Sequence, residues 1–397
     1  MLSLSAETRA MLNLLAFELF DQRLEIDASK VDWHRVLAES NRHVLTAFLY
    51  PGLRHLNGVP EEILSRARNA AMLSAARMEE SLRAQDGVLE LMRSQNIPCA
   101  VLKGFSAACR YPHPELRVPG DIDILVLPSH LSAACAEMEG VGFKKELSLE
   151  KHECLSRANT WVEVHQMVTA FPESEKGNYA REFMNGALSH TQDMEIQGIR
   201  FPILDGIYQM IGLLAHKEQH LATSGIGLRQ ICDWAVTVHA LREQIGEKEI
   251  ATLERCGLLH FAKVVTRLCE KYLGLPPCLW YQNAMDDQVD ALMEDIMSAG
   301  NFHEQYAKRP FTGVLTDAYG SGKSSVFRNY FHYIRKRIDQ DYSCAKNPLW
   351  IPAFGLFFPM RYCVRVLIGK RKKINVSQAV HTAQYREKML RSLKLYQ

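Results

Sequence analysis

Apolar positions along this chain change period twice. Residues 1 to about 95 follow the helical repeat. Leu12, Leu15, Ala16 and Leu19 recur at i, i+3, i+4 and i+7 and predict a first helix. Two shorter helices are expected near Val31–Arg42 and Val44–His55. Pro60, followed by Glu61 and Glu62, opens a long helix towards Ser94. Proline suits a helix start, and acids in the first turn suit the helix dipole. From Ile97 the period shortens. CAVL after Asn96-Ile97-Pro98 reads as a short buried strand, Gly104 as a turn, Ser106–Arg110 as the beginning of a helix, and DIDILV as a second buried strand. Ser129 is a candidate cap for a helix over Leu131–Glu139, which Gly140 and Gly142 end. Strands follow over Phe143–Leu149, His152–Ser156 and Thr160–Val168, then a hairpin around Met194–Pro202. Within TWVEVHQMV, Trp161, Glu163 and His165 share one face, and Val162 and Val164 the other. From Leu204 the helical repeat returns, with helices expected over 206–221, 228–242, 247–256, 258–273, 288–298, 326–338 and 377–396. The pattern is α+β: a small mixed β-sheet core over 96–203 between helical domains at 1–95 and 204–397.

Composition narrows this little. The 397 residues are 47% hydrophobic and 23% charged, ordinary for a globular protein, and the net charge of +2 implies no polyanionic partner. The charge is uneven, however. Residues 361–397 hold ten Lys or Arg against Glu387, so the rest of the chain is net negative. The ten cysteines are scattered without a C-x-x-C, which fits a reducing cytoplasm better than secretion. The N-terminal segment reads as an amphipathic helix and not as a signal peptide. Leu349–Ile368 is apolar and aromatic, but Pro352, Pro359, Arg361 and Arg365 make it a poor membrane span. With GKRKK after it, the segment is open to three readings: a core helix with a solvated basic end, a peripheral contact with an anionic membrane, or a phosphate-binding tail.

The chemistry concentrates at residues 97–168. Asp121 and Asp123 lie at i and i+2, on one face of a strand, where two carboxylates repel unless cations neutralise them. Glu163 on its apolar strand needs a partner too, and a metal shared with both aspartates would supply one. Upstream, Lys103, Gly104 and Ser106 stand at a strand-to-helix turn, a place suited to anions, and Arg117 precedes Asp121 by four residues. His165 is a candidate to orient Glu163 or to touch substrate; the alternative is a satisfied semi-buried histidine. His216 and His220 are spaced i, i+4, but HKEQH is not the zincin order and no third zinc ligand is evident. With Lys217, Arg229 and Asp233 they are candidates for a substrate wall. The alternative for Arg229 and Asp233 is an i, i+4 ion pair. GSGKSS at 320–325 lacks the first glycine of a P-loop, since that position is Asp317.

The order LKG-F-S, R-x3-DIDILV, VEVH resembles the polymerase-β-like nucleotidyltransferase superfamily. More narrowly, it resembles a group of uncharacterised bacterial nucleotidyltransferases with a Leu-Lys-Gly turn and an Asp-Ile-Asp-Leu-Val strand. LLAHKEQHL and GLRQICDWAV resemble the same group. The resemblance implies an α+β fold with a nucleotidyltransferase core between helical domains. It implies that Asp121, Asp123 and Glu163 bind Mg²⁺ or Mn²⁺ and carry catalysis, and that Gly104 and Ser106 hold the triphosphate of an NTP; Lys103 and Arg117 are the added candidates for phosphate contacts. Two ions about 4 Å apart would activate the acceptor and stabilise pyrophosphate, with Glu163 beside the acceptor. The acceptor itself, small molecule, peptide, protein or RNA, is left open, as is a catalytically silent binding or scaffold protein on the same fold. Here the turn is Gly-Phe-Ser, where the superfamily has adjacent Gly-Ser or Gly-Gly.

Overall fold

The computed structural model describes residues 2–149, 151–223, 225–278, 280, 286–299, 353–357, 360, 361, 364 and 376–395. The expected 326–338 helix and the GSGKSS segment lie outside them, as does most of the apolar stretch before the basic tail.

Helices α1 (Ala6–Phe20), α2 (Trp33–Arg42), α3 (Thr46–Leu53) and α4 (Glu61–Ser94) form the N-terminal part. The i, i+3, i+4, i+7 stripe of α1 is buried as its spacing predicts. Pro60 is the N-cap of α4, with both acids in its first turn. Strands follow as β1 (Cys99–Val101), β2 (Ile122–Val126), β3 (Lys144–Ser148), β4 (His152–Arg157), β5 (Thr160–His165), β6 (Thr191–Ile196) and β7 (Ile199–Leu204). They make one mixed sheet in the order β3-β4-β5-β2-β1-β7-β6. Between them lie α5 (Lys103–Ala108), α6 (Leu131–Gly140) and α7 (Glu175–Met184). After the sheet come α8 (Gly206–Thr223), α9 (Leu228–Leu241), α10 (Glu247–Arg255), α11 (Leu259–Leu273) and α12 (Asp286–Ala299), and near the end α13 (Val376–Ser392). The fold is thus an α+β mixed sheet among helices.

One face of the sheet is the hydrophobic core. Ile122, Ile124, Val126, Val162 and Val164 pack there against Met78, Leu82, Val88, Leu89 and Met92 of α4 and Ala134, Cys135 and Met138 of α6. Each large apolar side chain so buried is worth roughly 1.5–3 kcal/mol. This burial sets the strand register, because a slip of one residue would turn the acids inward. Among the described residues, no helix is long and apolar enough to cross a membrane.

Three local expectations differ. Ser129 does not cap α6: it lies inside a 3-10 turn over Pro128–His130, and His130 takes the cap position. The helix after β1 starts at Lys103, three residues early. Helix α7 arises where none was anticipated, capped by the Ser174 hydroxyl, which accepts from the Gly177 N–H at 3.1 Å.

The chain divides into two compact units. One holds residues 1–219, 226–301 and 394–397, and the other 220–225 and 302–393. In the second, Arg386 is buried and donates to the Leu221 carbonyl at 2.6 Å.

Candidate active site

Three strands bring the acids together. β1 runs antiparallel to β2, with Val101 opposite Ile124, and the Leu102 N–H donates to the Asp123 carbonyl at 2.9 Å. β2 runs parallel to β5 with Asp123 beside Glu163, and β4 pairs antiparallel on the other side with His152 opposite His165. Asp121 stands just before β2, on the face away from the apolar core. Ligand atoms of Asp121, Asp123 and Glu163 all lie within 4.8 Å of one another. Asp123 is buried, Glu163 half-buried and Asp121 exposed, so the cluster opens at its Asp121 end.

Lys103 fills the middle. Its Nζ donates to Asp123 Oδ1 at 2.5 Å and Glu163 Oε2 at 3.1 Å, and stands 3.3 Å from His165 Nε2. Burial opposes its charge, but Asp123 and Glu163 overcome that and hold the ammonium well above an ordinary lysine. The backbone at Lys103 is left-handed, φ 49°, an uncommon conformation for a residue with a side chain. The Glu163 carboxyl is held well below the ordinary range: burial would raise it, and the His165 hydrogen bond and Lys103 outweigh that. Asp121 is pushed up to about 6, first by the protein packed around it, then by Asp123 and Glu163. One ammonium against three carboxylates leaves this cluster short of positive charge.

His152, Glu163 and His165 also lie within 4.8 Å of one another. His165 Nε2 is 2.8 Å from Asp123 Oδ1, and its Nδ1 is buried without a hydrogen-bond partner. The proton therefore sits on Nε2 and is donated to Asp123. An ion on Nε2 would drive that proton to Nδ1, where nothing accepts it. This group suits ring packing instead: the two imidazoles meet at 4.6 Å, and burial pushes His152 down to about 4, so it is neutral near pH 7. The three carboxylates, by contrast, are hard oxygen donors of the kind Mg²⁺ and Mn²⁺ take.

A second charged cluster lies beneath α5. Arg117 donates from Nε and Nη2 to the two oxygens of Asp233 on α9, each at 2.9 Å, and the Tyr111 hydroxyl donates to Asp233 at 2.8 Å. Burial would raise Asp233, but Arg117 keeps its carboxyl below the ordinary range. The alternative Arg229–Asp233 pairing is not what forms, because Arg229 Nη1 instead donates to the Val118 carbonyl at 2.9 Å. Gly104 joins the two clusters: a Cβ there would come 3.3 Å from Arg117 Nη1.

The candidates thus fall into groups. Asp121, Asp123, Glu163, His165 and Lys103 converge. Arg117 and Asp233 form the cluster below, Arg229 is held at Val118, and Lys217 is buried with Nζ 3.4 Å from the Leu213 carbonyl. Ser106 is buried, and its hydroxyl donates to the Lys103 carbonyl at 2.9 Å. His216 and His220 lie half-buried on α8, and neither belongs to a potential metal group among the described residues. The sequence reading missed His152 and Tyr111. Only strand pairing shows the first, and only the fold of α9 onto α5 shows the second.

With this geometry in view, the description of a family of uncharacterised nucleotidyltransferases matches residues 29–274. The chain belongs to that family. The match runs from before α2 to the end of α11 and takes in the whole sheet and both charged clusters. No curated protein matches the chain. A solved structure of the antibiotic-resistance factor ANT(2'')-Ia is similar over 49% of this chain and 92% of that one, at 11% identity and a TM-score of 0.24, too low for a shape argument. For this nucleotidyltransferase family member, the assignment rests on the family match.

Proposed function

We propose that this nucleotidyltransferase moves a nucleoside monophosphate from an NTP to an acceptor hydroxyl in a reaction dependent on Mg²⁺ or Mn²⁺. The observation that carries the reading is the convergence of Asp121, Asp123 and Glu163 within 4.8 Å at the open rim of the sheet. The donor set fits a divalent ion, and these three residues would hold it. Bound there, the ion supplies Lewis-acid stabilisation of charge on the phosphates and lowers the pKa of the acceptor hydroxyl. In the transfer, the acceptor oxygen bonds to the α-phosphorus as the bond to pyrophosphate breaks, pyrophosphate leaves with that electron pair, and the acceptor proton passes to solvent.

The chain's own residues prepare this. Asp123 is fixed in one orientation by Lys103 and His165, so the ligand is preorganised. Asp121, the exposed member of the three, is the one most open to an arriving cation and substrate. The Arg117–Asp233 pair, fully enclosed, holds α9 against α5 and so supports the turn that aims Lys103.

The test is incubation of the purified full chain with Mg²⁺, each labelled NTP and a cell lysate as acceptor source. Label should appear in one fraction, require the divalent ion, and vanish with Asp123→Asn. Nucleotide binding without turnover under any NTP would favour a silent binding protein instead.

A further inference from the structure

We propose that Lys103 fills one cation position of this centre with its own ammonium, so that the three carboxylates take up a single divalent ion. The assignment of a catalytic role to that ion rests on the nucleotidyl-transfer reading; the ion count does not.

Three observations converge. First, Nζ touches Asp123 Oδ1, Glu163 Oε2 and His165 Nε2 at 2.5, 3.1 and 3.3 Å, so it occupies the space between Asp123 and Glu163. An ion bridging those same oxygens would have to displace it. Second, the ammonium is not loosely placed. The Leu102 N–H is tied to the Asp123 carbonyl, the Ser106 hydroxyl holds the Lys103 carbonyl, and the backbone accepts a left-handed φ of 49° that disfavours any residue with a Cβ. The turn is built to aim this side chain at the acids. Third, the charges match. Counting the side chains alone, three carboxylates less one ammonium leave two negative charges, the charge of one divalent ion. The ion's place is then the Asp121 side, where the cluster is open and no ammonium stands.

Lys103 so placed acts as a fixed cation beside the reacting phosphates.

Counting bound Mn²⁺ by electron paramagnetic resonance tests this without requiring turnover. Wild type should bind one ion per chain. Lys103→Gly removes the ammonium at a φ that glycine adopts freely, and should bind two. Lys103→Asn, which also tolerates this backbone, guards against a folding defect in the glycine variant, and Lys103→Arg should stay at one. Asp123→Asn should weaken the single ion at least tenfold. Two ions in wild type, or an unchanged count in both Lys103→Gly and Lys103→Asn, would overturn the proposal. One ion in wild type and two in the variants, with no label transferred from any NTP, would leave the proposal standing and remove the nucleotidyl-transfer reading. Label transferred by a wild type that binds two ions would do the reverse.

Discussion

The rim cluster and the cluster beneath α5 are built from the same materials and end in opposite states. Beneath α5, the Asp233 carboxylate meets Arg117 through two 2.9 Å hydrogen bonds and Tyr111 through one at 2.8 Å, and all three side chains are buried. Charge and hydrogen bonds close locally. At the rim, Asp121, Asp123 and Glu163 have the single ammonium of Lys103 among them, and the Asp121 carboxyl is pushed up to about 6, first by burial and then by Asp123 and Glu163. A closed pair serves structure, because nothing remains for a ligand to satisfy. An open excess serves binding, because an incoming cation relieves it. Acids and cations near each other therefore say little until their balance is counted.

That contrast can be broken by exchanging which cluster is damaged. Asp233→Ala should cost about 3–5 kcal/mol of folding stability, since it strands the buried Arg117 charge; urea unfolding measures it, and a loss under about 1 kcal/mol would remove the distinction. Asp123→Asn should do the opposite. Transfer should fall on the order of 10³-fold, the equivalent of several kcal/mol of charge stabilisation, while the unfolding midpoint stays near wild type.

Lys217 sharpens the point from the other side. It is buried with a backbone carbonyl as hydrogen-bond acceptor, and burial lowers it from 10.5 to about 8 even though Asp233 works against this. Between pH 8 and 10.5 the unfolded chain binds the proton that the folded chain has lost, so stability rises with pH across that window. At pH 7 the charged form costs about 3 kcal/mol, at about 1.4 kcal/mol per pH unit. Lys217→Met should recover most of that and flatten the rise, as read from unfolding curves at pH 7, 8.5 and 10. The smallest expected effect is Tyr111→Phe, which removes one hydrogen bond to a charged acceptor and should cost about 1.5 kcal/mol with transfer kept.

Much of the fold is local in origin. The span of α4 follows from Pro60, two acids and a repeating apolar stripe. The β5 strand follows from strict alternation, which also puts Glu163 and His165 on one face. Helix α7 went unread because its signal is a single capping serine, Ser174, after a run read as strands. The cap of α6 was misjudged because Pro128 starts its own tight turn and carries Ser129 into it.

The candidate site divides along the same line. Asp121 and Asp123 face one way because a strand repeats every two residues, and any reader of the sequence can see it. That Glu163 meets Asp123 depends on a parallel pairing of β2 with β5, set by burying Ile122, Ile124, Val162 and Val164 on the opposite face. That Asp233 takes Arg117, 116 positions away, and not Arg229 at i, i+4, depends on how α9 packs on α5. Short-range periodicity is a property of the backbone, so the sequence alone determines which residues share a face. Charge neutralisation is a property of distance through the folded chain, so only the tertiary structure decided that Lys103 stands among the acids and that three carboxylates share its one ammonium.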